Sequence, residues 1–158
     1  MRKTIVILTI LFSALMLQSL QAMPTGIGGN SVDTGCTCHG AADVSVNPFI
    51  EGLPDIYNGS ETYNITISME GGPTPSGAAY GGFNLRVSSG KVLSVNNDTQ
   101  VWVQSSTEIT HNDSGNDQRE WVIQWLAPID DTQDVTFTLL VNSVNGDNSP
   151  GGDSWNSL

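Results

Sequence analysis

The side chains with the greatest capacity for chemistry lie together in one short segment, Gly35–Gly40 (GCTCHG). It contains both cysteines of the chain, Cys36 and Cys38, directly before His39. In covalent haem attachment, thiols add to the vinyl groups of haem and the adjoining histidine binds the iron. The usual spacing is C-x-x-C-H, and here one intervening residue is missing. The segment predicts haem c held through Cys36 and Cys38, with His39 as the proximal iron ligand.

A six-coordinate iron needs a second axial ligand, and His111 carries the only other imidazole of the chain. In a polar stretch such as Thr110–Asn112, a lone histidine is often a solvated surface-loop residue. If His39 binds iron, we expect His111 as the distal ligand, with the thioethers of Met23 and Met69 as alternatives. Met69 also fits a core-facing strand position. Two imidazoles favour electron transfer, whereas an open site favours ligand binding or peroxidase-like chemistry.

The same residues fit other kinds of site. A Cys36–Cys38 disulfide would close a very small, strained and reducible ring in an oxidising compartment. Two thiolates with one or two imidazoles could instead bind Cu(I) or Zn(II). Elsewhere, Asp130–Asp131 and the loop 145–153 could supply oxygen ligands to Ca²⁺. Their spacing does not match an EF-hand, however, and Asx-rich turn chemistry explains them more simply.

The first 22 residues have the pattern of a secretory signal peptide. Arg2 and Lys3 precede an apolar stretch, and a polar segment then ends on Ala22. We predict cleavage after Ala22, although Leu20 suits the −3 position poorly and leaves an uncleaved N-terminal anchor open. The protein is therefore expected to be secreted, with cell-surface display. Membrane contact is expected only through an uncleaved signal or a missing C-terminal anchor.

The charge of the remaining chain excludes several partners. After residue 22 only Arg86, Lys91 and Arg119 are cationic, against sixteen acidic residues, which gives a formal charge of −13. Such a surface repels nucleic acid and anionic lipid headgroups. A redox partner, if there is one, should carry a basic surface.

The hydrophobic pattern predicts an all-β fold. Apolar residues alternate with polar ones over 63–69, 83–87 and 135–141, so that each strand has one buried face. Gly-, Asn-, Asp- and Pro-rich turns separate the strands, which is typical of an antiparallel β-sandwich. We predict a Gly-rich loop with the Cys/His motif over 23–42 and a sandwich over 43–158. Further strands are expected at 43–47, 91–95, 100–104 and 120–126, with a last one starting at Trp155.

Several short motifs occur in a characteristic order. G-C-T-C-H-G is followed by Y-N-I-T-I-S, G-G-F-N-L, T-H, W-x-x-x-W-x-A-P and finally G-D-S-W-N. This order resembles Reeler-like domains, also called choice-of-anchor V domains, over about Gly35 to Leu158. The resemblance implies an immunoglobulin-like sandwich preceded by a Cys-x-x-Cys-His-Gly segment. Cys36, Cys38 and His39 would correspond to that segment, and His111 to the family's histidine before the Trp-rich strand.

Two functions from different classes follow. The first is an exported, monohaem c-type electron carrier at the cell surface, with His39 and His111 as axial ligands. The second is a cofactor-free adhesion or binding module with a Cys36–Cys38 disulfide, or a Cu/Zn-binding domain. No nucleophile, phosphate-loop or metalloprotease motif is present, so we do not expect an enzyme, apart from haem-based redox catalysis.

Overall fold

The computed structural model of the chain describes residues 23–29 and 31–158, and the predicted signal peptide lies outside them. The described chain contains one short helix, α1 (Ser31–Thr34), and 3₁₀ turns at Thr37–His39 and Asp113–Gly115. None of the helices in this part of the chain is long and apolar enough to cross a membrane. The strands are β1 (Val46–Glu51), β2 (Thr62–Gly71), β3 (Gly81–Val87), β4 (Lys91–Ser94), β5 (Thr99–Val101), β6 (Glu108–His111), β7 (Glu120–Leu126), β8 (Phe137–Ser143) and β9 (Ser154–Ser157).

The strands form two sheets, and every strand pairing is antiparallel. One sheet has the order β1-β2-β7-β4, and the other has the order β5-β6-β3-β8-β9. Their inner faces pack against each other, as the period-two pattern requires. The predicted antiparallel β-sandwich is therefore confirmed.

The core is built from matched positions on neighbouring strands. Ile65 lies opposite Ile123 and Ile67 lies opposite Trp121 in the β2–β7 pairing, so their side chains share the inner face. All four are at most 1% exposed. Trp121 and Trp125 both pack between the sheets, as predicted. Their indole N–H groups donate to carbonyl oxygens, Trp121 to Gly115 at 2.7 Å, so neither leaves a buried donor unpaired.

The predicted strand boundaries differ from the observed ones where the polar pattern was ambiguous. The run 43–47 is mostly a turn, and β1 begins only at Val46. Strand β6 was not predicted, because Glu108 and Thr110 are polar residues on a face that is buried. The predicted strand start near Trp155 is confirmed as β9.

Shortening a core side chain should destabilise the fold strongly. Ile123 is 0% exposed, so Ile123→Ala should lower the free energy of unfolding by about 2–5 kcal/mol through lost burial and a residual cavity. Val103 is 90% exposed, and Val103→Ala should change it by less than about 0.5 kcal/mol. Urea unfolding of both variants measures the difference. Equal stabilities would contradict this assignment of the core.

Candidate functional site

The outer face of the five-stranded sheet is covered by the N-terminal segment, residues 23–29 and 31–40. Its central anchor is the carboxylate of Glu108, whose side chain is 2% exposed. Glu108 Oε1 accepts from the Gly29 N–H at 2.7 Å and from Asn84 Nδ2 at 2.9 Å. Arg86 lies 3.7 Å from Glu108 Oε2 and also pairs with Asp33 at 3.0 Å. The predicted Gly-rich loop is therefore attached to the sandwich by a buried polar network.

The Cys/His motif is positioned by Trp155 on the edge strand β9. The Trp155 indole N–H donates to the Gly40 carbonyl at 2.9 Å. The backbone of Gly35 lies directly on the indole ring, where an added Cβ would come within 2.1 Å of it. Gly35 also has a φ of +78°, which favours glycine. Only glycine fits at this start of the motif.

The two thiols face different environments because a 3₁₀ turn carries them. The His39 N–H donates to the Cys36 carbonyl at 2.8 Å and closes the turn. With three residues per turn, Cys36 and His39 lie on one side while Cys38 projects from another. Cys36 is accordingly half-buried and Cys38 exposed, and both are free thiols.

The burial of Cys36 has an electrostatic consequence. Loss of solvent, and secondarily the neighbouring Cys38, raises the pKa of the Cys36 thiol to about 11. A thiolate buried in apolar surroundings is disfavoured, and the thiolate is the reactive form of cysteine. Near neutral pH Cys36 is therefore a protonated, poorly nucleophilic thiol.

His39 is held by a buried carboxylate. Its Nδ1 lies 2.9 Å from Asp153 Oδ2, and the side chains of His39 and Asp153 are 17% and 2% exposed. Asp153 Oδ1 accepts from the Asn145 N–H at 2.8 Å, which fixes the carboxylate in turn. No hydrogen bond joins His39 Nε2 to the described residues. A histidine that ligates a metal typically donates its other ring N–H to a carboxylate in this way.

His111 is not the surface-loop residue that the sequence predicted, because it ends strand β6. Its imidazole is half-buried, and Nδ1 accepts a hydrogen bond from the Phe83 N–H at 3.1 Å. The side chain thus takes the place of a backbone acceptor for β3, one residue beyond the Asn84–Thr110 pair. The ring also packs beside the rings of Phe83 and Trp121. Burial lowers the pKa of His111, and the Phe83 carbonyl oxygen, 3.3 Å from Nδ1, offsets only part of that effect because it can accept a hydrogen from the protonated ring. His111 is therefore a neutral structural residue.

The structure does not bring His111 and His39 together. His39 lies beside Asp153 at the start of β9, whereas His111 belongs to β6, and strands β3 and β8 separate the two. Three strand spacings amount to about 14 Å. Met69 is 4% exposed in the core, as its strand position predicted, and Met23 is an exposed residue of the N-terminal segment. The strand order thus gives no support for pairing His39 with His111 as axial ligands, and that pairing stays a prediction.

The sequence also suggested sites for Cu(I) or Zn(II) and for Ca²⁺. Among residues 23–29 and 31–158, no group of three or more His, Cys, Asp or Glu side chains is arranged to hold a metal ion. The Asp130 carboxylate accepts from the N–H and hydroxyl of Thr132, as an Asx turn does. These hydrogen bonds lower the pKa of Asp130. In the loop 145–153, Asn145 and Asp147 make similar local bonds.

Asp153 and Trp155 shape the site, but sequence reasoning did not connect them with the motif. Each is more than a hundred positions from it. Asp153 was considered as the end of a possible Ca²⁺-binding loop, and Trp155 as the start of a strand. Their proximity to Cys36–His39 becomes visible only when β9 pairs with the edge of the sheet.

Comparison with known proteins gives similarities of fold. The human F-spondin Reeler domain aligns with 19% identity and a TM-score of 0.47, over 74% of this chain and 89% of that structure. A Reelin-N domain of F-spondin aligns with 19% identity and a TM-score of 0.46, over 74% and 86%. A DUF4466 family protein from Parabacteroides merdae aligns with 12% identity and a TM-score of 0.43, over 72% and 43%. No protein-family model and no curated protein matches the sequence. At these identities, residue roles come only from this chain's own contacts.

The half-buried, neutral His111 should make the fold sensitive to mild acid. Burial holds the pKa of His111 in the folded state below its ordinary value of 6.5, so below about pH 6.5 the unfolded chain binds more protons and the free energy of unfolding falls. His111→Gln should remove this part of the pH dependence, whereas His39→Gln should retain it. Urea unfolding between about pH 7.5 and about pH 5 measures both. An unchanged pH profile in His111→Gln would contradict the assignment.

Proposed function

We propose that this chain is an exported, non-catalytic binding module that uses the loops at one end of the sandwich. The observation that carries the proposal is a pair of isoleucines, Ile56 and Ile129, which are 86% and 88% exposed. They lie in the β1–β2 and β7–β8 loops at the same end of the sheets. Isolated exposed apolar residues need no explanation, but two on joined loops mark a contact surface.

The two loops hold each other in place. The Ser60 N–H donates to the Pro128 carbonyl at 3.0 Å. The Tyr57 hydroxyl donates to the carbonyls of Asp130 and Gln133, at 3.0 and 2.7 Å. A groove of about 260 Å³ runs beside Ile129 and is lined on its far side by Gly90 and Lys91. We call this surface, formed by residues 52–61, 88–91 and 126–136, the isoleucine end. Its loops are pre-organised, which lowers the cost of binding.

The charges around this surface select the kind of partner. Partial desolvation and then the negative charges of Asp130 and Asp131 raise the pKa of Tyr57. Lys91 is the one cation among the described residues of the isoleucine end. The exposed acidic side chains there and on the adjoining strand end are Glu51, Asp55, Glu61, Asp130, Asp131 and Asp134. The fitting partner is therefore a protein segment that combines apolar and basic side chains.

A synthetic peptide of alternating leucine and lysine is a direct probe of the isoleucine end. Isothermal titration should show binding that weakens with added salt, because exposed charges are screened. The double substitution Ile56→Ser and Ile129→Ser should weaken the affinity for this peptide by about tenfold or more. Complete burial of one isoleucine side chain contributes about 1.5–3 kcal/mol, and each substitution removes the part of this that the complex gains.

The control for this test is Val44→Ser. Val44 is 89% exposed, and it precedes β1 at the opposite end of the sandwich, so this change should leave the affinity unaltered. A leucine and glutamate peptide should not bind. Equal affinities for the double variant and the unaltered protein would overturn this assignment of the surface.

A second candidate function is haem attachment at the Cys36–Gly40 turn, and the His39–Asp153 contact favours it. Cys38 and His39 would hold the group, Cys38 through a thioether and His39 through Nε2 to the iron. Haem supplies one-electron transfer when bound. Asp153 would orient the imidazole by accepting its Nδ1 hydrogen, while His111 and Met69 would take no part.

Expression with haem-maturation machinery tests this second function. We expect a mass gain of one haem that survives denaturation, together with a Soret band. His39→Ala should keep the thioether but change the iron spectrum, because it removes the proposed axial ligand. A protein of unmodified mass without visible absorption would exclude haem attachment and leave the binding module.

A further inference from the structure

The two cysteines of the motif have unequal access to any reagent or cofactor. Cys36 directly precedes the 3₁₀ turn and is half-buried, whereas Cys38 lies within the turn and is exposed. Gly35 and Gly40, on either side of the thiols, are both in contact with Trp155. These two contacts with Trp155 oppose a rotation of the turn that would expose Cys36. The difference between the thiols is thus fixed by packing on β9.

We propose that covalent chemistry at this turn passes through Cys38 alone, with His39 as its only neighbouring metal ligand. The ligand class is a soft electrophile, and the vinyl group of haem is the instance relevant to the second candidate function. In that step the Cys38 S–H adds across the C=C bond. A C–S bond forms, the hydrogen moves to the adjacent carbon, and no external oxidant is consumed. The haem part rests on the second candidate function, whereas the ranking of the thiols does not.

The missing residue in the Cys-x-Cys-His spacing agrees with this assignment. In the turn as folded Cys36 is half-buried, whereas Cys38, directly before His39 in the chain, is exposed. A second thioether through Cys36 would require this half-buried thiol to become accessible. The turn as folded therefore favours one thioether over two.

Alkylation of the native protein tests the ranking of the thiols without haem. Iodoacetamide at about pH 8 should add one carbamidomethyl group to the native protein, and peptide mapping should place it on Cys38. Cys36 should react slowly, because it is half-buried and its raised pKa keeps the thiol protonated. In denaturant both thiols should react. Cys38→Ser should abolish rapid native labelling, and Cys36→Ser should retain it. Equal native labelling of both thiols would overturn the proposal.

The haem-attaching host provides the second arm of the experiment. Cys36→Ser should retain covalent haem, whereas Cys38→Ser should lose it and release any bound haem on denaturation. Covalent haem in Cys38→Ser would overturn the proposal. If the unaltered protein takes up no haem, the second candidate function fails by itself. The alkylation pattern then decides the assignment of Cys38.

Discussion

Burial of both faces of the five-stranded sheet is the constraint on which the rest of this structure depends. One face packs against the second sheet, as in any sandwich, and the other is covered by the N-terminal segment. The cover requires a buried carboxylate, Glu108, because the segment is not regular structure and its N–H groups need acceptors. It also requires Trp155, which anchors the chain just before β1. The position of the Cys/His motif is a consequence of this second layer.

Much of the fold could be predicted from period-two patterning, because strands with one wet face have a clear signal. The strands around Ile65, Leu85 and Leu139 were predicted for this reason. Strand β6 was missed because its polar residues Glu108 and Thr110 are buried under the N-terminal segment. A single-sequence pattern cannot distinguish a polar residue facing water from one facing a chain segment that supplies hydrogen bonds. Tertiary packing, rather than propensity, decides such positions.

The candidate site was predicted in part, and the difference has a physical cause. The types and spacing of Cys36, Cys38 and His39 identify the motif in sequence. Which thiol is accessible depends on how the turn lies on Trp155, and this contact joins residues far apart in the chain. The expected pairing of His39 with His111 assumed that the only two imidazoles meet. The sheet instead places them on strands separated by two others, and His111 replaces a missing backbone partner of Phe83.

The two arginines of the described residues are both used in contacts within the protein. Arg119 donates to the carbonyls of Tyr80, Gly71 and Pro73 and thereby ties two loops together. Arg86 serves the N-terminal segment through Glu108 and Asp33. Of the three lysine and arginine residues after residue 22, Lys91 is exposed, whereas Arg86 and Arg119 are partly buried. Because the arginines are committed to internal contacts, the acidic side chains dominate the potential that an approaching partner meets. In the proposed binding function, that potential would accelerate encounter with basic partners, while the apolar contacts at the isoleucine end would determine how long they remain bound.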